Sequence, residues 1–223
     1  MRFKEFVDEE MIDEMPLPAD WDPNAYGPKS TFASRLRYAL ERAKRIGTGS
    51  SRVAMIIEYQ GRPTVLKIAK NRKGLAQNQV EADVLRDGYA SQLGILIPMI
   101  DYDNNNPKPL WLHTELAQRA SEKQLCALLK CDNLRQLVKA AASIAGITHF
   151  PYPFRQDLMN TGHSEEDIDI FIDYANNLAD LATSFDIKLG DFARRANWGI
   201  YQGHPIILDV GFNGEVMNTY YTR

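Results

Sequence analysis

Residues 189–211 constrain the fold of this chain more strongly than any other segment. Their sequence, LGDFARRANWGIYQGHPIILDVG, contains two runs rich in aromatic and β-branched residues on either side of Gly203. Such runs around a glycine predict a β-hairpin, with strands at 198–201 and 205–208 and a turn at Gly203. A hairpin here determines which residues meet at its open end.

Three polar side chains are expected to meet at that end. Asn197 and Asp209 each lie six residues from Gly203, so a turn at this glycine brings the two together. A carboxylate and an amide oxygen, with the carboxylate of Asp191 just upstream, suit a hard cation such as Mg²⁺. The alternative that these residues leave open is a surface hairpin with ordinary capping residues.

A glycine- and serine-rich stretch, IGTGSSRV at residues 46–53, precedes two apolar runs at 54–57 and 64–69. The runs predict two strands that turn at Gly61. Glycines allow backbone N–H groups to approach phosphate oxygens, so the stretch is a candidate phosphate loop. It does not fit the dinucleotide-binding pattern, because Arg52 occupies the third glycine position and a strand follows instead of a helix.

Lys67 lies inside the second apolar run, in the sequence VLKIA. A lysine in such a run needs a carboxylate or phosphate partner, since a buried unpaired charge is costly. Residues 77–86 predict a helix, and Glu81 within it is the expected partner. An edge-strand lysine with its amine in solvent is the alternative.

The rest of the chain predicts two more strands and then a mainly helical part. Strands at 95–100 and 110–116 complete a five-stranded antiparallel lobe with one helix. Helices are predicted from Ser121 through 129, at 134–147 and at 166–185, the last opened by a capping box at Ser164, with a loop at 148–165.

The first part of the chain holds two oppositely charged segments. Residues 1–30 carry eight acidic side chains against three basic ones, and four prolines forbid a continuous helix there. We expect an extended acidic arm that docks on the body of the protein or on a partner. Residues 31–47 predict a basic amphipathic helix. Its charge suits a solvated surface, a role near phosphates, or docking of the acidic arm.

Composition excludes several classes of protein. The chain has 223 residues, 44% of them hydrophobic, and a net charge of −3, which fits a soluble globular protein and gives no general reason to expect nucleic acid. No apolar run reaches the ~18 residues of a membrane span, and the first residues lack an apolar signal core. Cys126 and Cys131 are interpreted as buried thiols in a reducing compartment.

The order of these features resembles the protein-kinase-like superfamily, which includes protein kinases and the aminoglycoside and choline phosphotransferases. DFARRAN followed by DVG is similar to the catalytic loop and metal-binding motif, IGTGSSRV to the glycine-rich loop, and VLKIAK to the strand with the phosphate-binding lysine. The NWG, ILDVG and FNGEVMNTYY sequences look most like small kinase-like proteins of tailed bacteriophages.

This resemblance implies an α+β, two-lobed protein-kinase-like fold. Its N-lobe would be an antiparallel five-stranded sheet with one helix, and its C-lobe would be small and mainly helical with a catalytic hairpin. The implied division is an acidic arm at 1–30, an N-lobe with its preceding basic helix at 31–117, and a reduced helical C-lobe at 118–223.

The resemblance also implies roles for individual residues. Lys67 would hold the α- and β-phosphates of ATP, and Glu81 would hold Lys67. Asn197 and Asp209 would bind Mg²⁺, while Asp191 would orient or deprotonate the acceptor hydroxyl. The positions that resemble nucleotide-contacting ones are Gly47, Gly49, Ser50, Ser51, Lys67, Glu81, Glu115 and Ala117.

Three departures separate the chain from that family. Leu189 stands where a histidine usually structures the loop, and Asp191 and Asn197 are six residues apart instead of five. Only twelve residues follow Gly211, so the resemblance does not extend to the activation segment and later helices of protein kinases. Two functions therefore stay open: a phosphotransferase that uses Mg-ATP on a small molecule or an unusual protein site, and a catalytically weak or inactive kinase-like module that serves as a nucleotide sensor, a binding protein or a virion-associated component.

The expected partners are a nucleotide and a protein or small-molecule acceptor of phage or host origin. No membrane is expected, and nucleic acid is expected only as an added activity of the basic helix. The expected location is the cytoplasm, that of the host if the protein is phage-encoded, or the virion. Arg194 and Arg195, inside the catalytic loop, would contact the γ-phosphate or a substrate, or remain in solvent.

Overall fold

The computed structural model of this chain describes residues 44–104, 106–148 and 152–221. The predicted acidic arm and the predicted basic helix up to residue 43 lie outside the described residues. The described part combines α-helices with antiparallel β-sheet, which confirms the predicted α+β class. It divides into two compact units, one with residues 44–86 and Pro98–Leu116, the other with Asp87–Ile97 and residues 117–221.

A five-stranded antiparallel sheet forms the body of the first unit, in the order β1-β2-β3-β5-β4. Its strands are β1 (Lys44–Thr48), β2 (Arg52–Tyr59), β3 (Arg62–Ala69), β4 (Met99–Tyr102) and β5 (Trp111–Glu115). Strands β2 and β3 meet at a two-residue turn in which Gln60 and Gly61 both have positive φ, of 50° and 73°. Such a turn matches the natural twist of a hairpin.

Helix α1 (Arg72–Arg86) follows β3 and carries an unusually polar buried face. Gly74, Gln77, Asn78 and Glu81 are all buried and follow the i, i+3, i+4, i+7 spacing of one helix face. The Asn78 amide donates to the carbonyl oxygens of Pro109 and Leu110, each at 2.9 Å. Because buried polar groups need partners, this face is specified by hydrogen bonds as well as by apolar packing.

Two predictions for the first unit are wrong. The basic helix was expected to continue to Gly47, but residues 44–48 form β1, whose backbone pairs with β2. Pairing with a neighbouring strand outweighs the helical periodicity of the segment. The strand expected at 95–100 begins only at Met99, because the Ile97 N–H bonds to Ile207 O at 3.0 Å within the second unit.

The second unit is mainly helical and contains one hairpin. Its elements are α2 (Gly88–Gln92), α3 (Glu122–Leu129), α4 (Leu134–Ile144), α5 (Phe154–Asn160), α6 (Glu165–Phe185), β6 (Trp198–Tyr201), β7 (His204–Ile207) and α7 (Gly214–Tyr220). The predicted N-caps form: Ser121 makes a capping box with Gln124, and Ser164 accepts the Asp167 N–H at 3.2 Å. Helix α5, of seven residues, lies in the stretch that was predicted as a loop because it contains proline and glycine. Among the described helices, none combines the length and apolar character that a membrane crossing requires.

The segment Asp87–Ile97 packs with the helical second unit. The predicted division had placed this segment in the N-lobe, which was expected to run to residue 117. Within that unit, the Tyr89 hydroxyl donates to Asp180 at 2.8 Å, and the Asn177 amide donates to Leu93 O at 3.2 Å. These side-chain contacts lie 84 or more positions apart in the chain, so local sequence patterns do not indicate them.

Substitution of Gly74 by alanine tests the close packing of α1. A Cβ at this position would lie 2.1 Å from the Ser51 carbonyl oxygen. We expect Gly74→Ala to lower the free energy of unfolding by about 1–3 kcal/mol, as overpacking does. Gly88→Ala is the matched control, since a Cβ there meets no atom within 4 Å. Chemical denaturation measures both, and equal stabilities of the two variants would contradict the packing described.

Candidate functional site

The first unit contains a buried carboxylate that contacts two cationic side chains. Glu81 has no exposed surface, and its Oε1 contacts Lys67 Nζ, as predicted. Its Oε2 accepts from an NH group of Arg52 at 2.5 Å, which the sequence does not indicate. The Lys67 and Arg52 side chains are only 11% and 10% exposed, so all three groups are largely removed from water. We call Arg52, Lys67 and Glu81 the Glu81 cluster.

The candidate phosphate loop at residues 49–51 is held through its carbonyl oxygens. Lys70 Nζ donates to Gly49 O at 2.8 Å, and the Asn71 amide donates to Ser50 O at 3.1 Å. The Lys70 N–H bonds Ser51 O at 2.8 Å, and the Ser51 hydroxyl donates to Gln77 on α1. The loop is therefore tied to the start of α1, and the two elements form one hydrogen-bonded body.

The remaining predicted nucleotide-contacting positions lie in separate places. Gly47 is in β1, where its backbone pairs with Ala54 beside a bulge. Glu115 ends β5, and its carboxylate pairs with Arg62. Ala117 belongs to the second unit. Its methyl group packs against Gly199, so closely that a Cβ added to Gly199 would lie 2.7 Å from the Ala117 Cβ.

The catalytic-loop candidate in the second unit winds as two short 3₁₀ turns, Leu189–Ala193 and Arg195–Asn197. Leu189 is buried and Phe192 fully so, and the Trp198 indole N–H donates to Phe192 O at 2.8 Å. The Phe192 and Trp198 rings also pack edge to face at 6.3 Å. Apolar packing and one indole hydrogen bond therefore hold this loop, and Leu189 contributes to that core.

The predicted meeting of Asn197 with Asp209 is offset by one residue. The turn takes two residues, Gln202 and Gly203, at φ values of 51° and 85°. Trp198 therefore pairs with Ile207, and the Leu208 N–H bonds Asn197 O at 2.8 Å. The prediction assumed a turn centred on Gly203 alone, which would have placed Asn197 directly opposite Asp209.

Asn197 is nevertheless joined to Asp191. Its side-chain amide donates to the backbone oxygen of Asp191 at 2.9 Å, across the six-residue spacing. Because the NH₂ group is the donor, the other atom of that amide is an oxygen acceptor with a fixed direction. Arg194 lies between the two 3₁₀ turns and has an extended backbone.

Asp209 belongs to the same group of residues. Its Oδ1 accepts the Gly211 N–H at 3.0 Å, which orients the carboxylate. Burial raises the pKa of the Asp191 carboxyl, the Arg194 guanidinium lowers it, and the Asp209 carboxylate raises it further. In the second unit, Asn197 is thus hydrogen-bonded to Asp191, and the Asp209 carboxylate lies close enough to raise the pKa of Asp191.

The two loop arginines differ in their contacts. Arg194 lies 3.5 Å from the Asp191 carboxylate, and its side chain is 74% exposed. Arg195 donates to Ala120 O at 3.1 Å, so this side chain braces the loop against the start of α3.

Carboxylate and amide oxygens of Asp209 and Asn197 could hold a hard cation together with water and phosphate oxygens. In residues 44–104, 106–148 and 152–221, no group of three His, Cys, Asp or Glu side chains is placed to hold a metal ion on its own. Cys126 and Cys131 are buried free thiols, as predicted.

Sequence patterns do not identify Arg52, Gln77 and Asn78 as parts of the first-unit site. The signal that points to Gln77 and Asn78 is the recurrence of polar residues on the inner face of the predicted helix.

No protein-family model matches this chain, and no curated protein matches it.

Replacing Asp191 by asparagine tests its environment. Because the pKa is raised in the folded state, the ionised carboxylate destabilises the fold relative to the unfolded chain. Asp191→Asn should therefore raise the melting temperature at pH 7. The gain should shrink as the pH falls through the folded-state pKa and vanish below about 3, where Asp191 is protonated in both states. Thermal unfolding across pH measures this, with the exposed Asp173→Asn as control, and a gain that persists in acid would contradict it.

Proposed function

We propose that this protein is an ATP- and Mg²⁺-dependent phosphotransferase with a two-lobed protein-kinase-like fold. The observation that carries the proposal is the grouping of Asp191, Asn197 and Asp209 in the second unit. A carboxylate and an oriented amide oxygen suit Mg²⁺, and the nearby Asp191 supplies a second carboxylate for the acceptor. The sheet order β1-β2-β3-β5-β4, with α1 following β3, further supports a kinase-like first unit.

In this proposal the first unit binds phosphates and the second unit binds the metal. Lys67, anchored by Glu81, holds the α- and β-phosphates. Asn197 and Asp209 hold Mg²⁺, which neutralises charge on the phosphate oxygens when bound. These contacts mainly position and stabilise charge, which is the larger part of catalysis in phosphoryl transfer.

Asp191 acts on the acceptor. Its carboxylate orients a hydroxyl group and takes the proton as the new O–P bond forms and the bond between the γ-phosphorus and the leaving ADP oxygen breaks. Its raised pKa suits this role, since a general base works best when its pKa lies nearer the working pH. The acceptor is a small molecule or a protein hydroxyl of phage or host origin, reached in the cytoplasm.

A catalytically weak or inactive kinase-like module is the second candidate, serving as a binding or virion-associated structural protein. The observation that favours it is the Gly49 N–H, which already donates to the Arg52 carbonyl at 2.9 Å. A loop N–H that is used within the protein is not offered to a phosphate oxygen. This module would bind its partner without transferring phosphate.

Thermal unfolding with ATP, with and without Mg²⁺, tests the nucleotide site. Ligand at about 100 times its dissociation constant stabilises the fold by about 2.7 kcal/mol, or about 5–10 °C for a chain of this size. We expect a Mg²⁺-dependent shift in the wild type that is lost in Asp209→Asn and kept in the exposed control Asp173→Asn. Equal shifts in all three proteins would contradict the assignment of Asp209.

Phosphate transfer separates the two candidate functions. With a nucleotide site established, hydrolysis or transfer of the γ-phosphate should fall by two or more orders of magnitude in Asp191→Ala, as loss of a general base does. Wild type and Asp191→Ala that bind Mg-ATP and are equally inert would favour the inactive module.

A further inference from the structure

The two oxygens of Glu81 each contact a different cation. Lys67 contacts Oε1, while Arg52 contacts Oε2 and also approaches Asn78 Oδ1 at 3.4 Å. The carboxylate is fully buried, so it depends entirely on such partners. One negative charge shared by two positive charges leaves the Glu81 cluster with a net charge of +1.

The strand register places both cations on the side of the sheet that faces α1. Arg52 pairs with Ala69, and Ala54 pairs with Lys67, so Arg52 and Lys67 are diagonal neighbours on one face. Diagonal neighbours lie about 7–8 Å apart, which is within reach of one carboxylate for two long side chains. The arrangement therefore follows from the β2–β3 pairing and the position of Glu81 on α1.

A single lysine cannot serve a buried carboxylate and a phosphate equally well. If Lys67 were the sole partner of Glu81, a phosphate would have to compete with Glu81 for the ammonium group. Arg52 removes this competition, because it keeps Glu81 paired when Lys67 turns its charge to a phosphate. Its guanidinium stays ionised at all relevant pH values, which suits a permanent counter-ion.

We propose that Arg52 is a positioning residue that holds Glu81 so that Lys67 can bind the phosphate chain of a nucleoside triphosphate. The inference rests on the proposed nucleotide function. In this arrangement Arg52 is the counter-ion of Glu81, and Lys67 binds the phosphates. Arg52 also closes the candidate phosphate loop, since its carbonyl accepts the Gly49 N–H at 2.9 Å. The loop, the counter-ion and α1 are therefore held in one arrangement before any ligand binds.

Binding of ATP and of adenosine to a set of variants tests this role. Arg52→Met should weaken ATP binding about tenfold, the effect of losing roughly one charged hydrogen bond. Adenosine binding should not change, because adenosine has no phosphate to compete with Glu81. Arg52→Lys should recover part of the ATP affinity, since it restores the charge without the planar guanidinium.

The double variant Arg52→Met/Glu81→Gln separates positioning from direct phosphate contact. A neutral glutamine at position 81 does not compete with the ATP phosphates for the Lys67 ammonium group. The double variant should therefore bind ATP more tightly than Arg52→Met alone. The single variant Glu81→Gln completes the double-mutant cycle. Failure of the double variant to recover, with adenosine binding intact, would overturn the proposal and make Arg52 itself a phosphate ligand.

A stability cycle tests the same role without nucleotide. Lys67→Met and Arg52→Met should each lower the melting temperature by only a few degrees, because one cation still pairs with Glu81. Their combination should lower it by about 10 °C or more, since it leaves a buried unpaired carboxylate. Purely additive effects would overturn the shared counter-ion. A wild type that binds neither ATP nor adenosine would reject the proposed function, and the stability cycle would then decide the role of Arg52.

Discussion

The first unit depends on one buried charge, the carboxylate of Glu81. Removing such a charge from water is costly, and the ion pairs with Lys67 and Arg52 offset that cost only while all three side chains keep their places. Strand pairing, the inner face of α1 and the glycine-containing loop are therefore linked through a single group. An apolar residue in place of Glu81 would leave the largely buried Arg52 and Lys67 without this carboxylate, so the three charged side chains depend on one another.

In the second unit, apolar packing holds the polar site residues in place. The loop from Leu189 to Asn197 winds as two short 3₁₀ turns, and buried Phe192 and the indole of Trp198 hold these turns in place. This support fixes the backbone oxygen of Asp191, which in turn fixes the amide of Asn197. The polar site is consequently a product of the core beneath it, and the raised pKa of Asp191 is a further result of that burial.

Sequence patterns predict the parts of this structure that local chemistry determines. The hairpin, the Ser121 cap and the pairing of Lys67 with Glu81 follow from turn residues, capping rules and the cost of a buried charge. The hairpin register was missed by one residue, because Gln202 adopts positive φ where glycine is the usual choice. Strand β1 and the second cation, Arg52, were missed because each depends on a partner that only the folded sheet brings near.

Covalent labelling with an acyl-phosphate derivative of ATP tests the central claim most directly. A lysine amine held at the phosphates attacks the acyl carbonyl, forms an amide and releases ATP, which requires contact at about 3–3.5 Å. We predict that mass spectrometry finds Lys67 acylated and that excess Mg-ATP prevents the labelling. Lys108 and Lys123, which are both exposed and make no contact with the candidate phosphate loop in the interactions described above, serve as internal controls whose labelling ATP should not suppress. Labelling of these two without Lys67, or labelling of Lys67 that ATP does not suppress, would contradict the account.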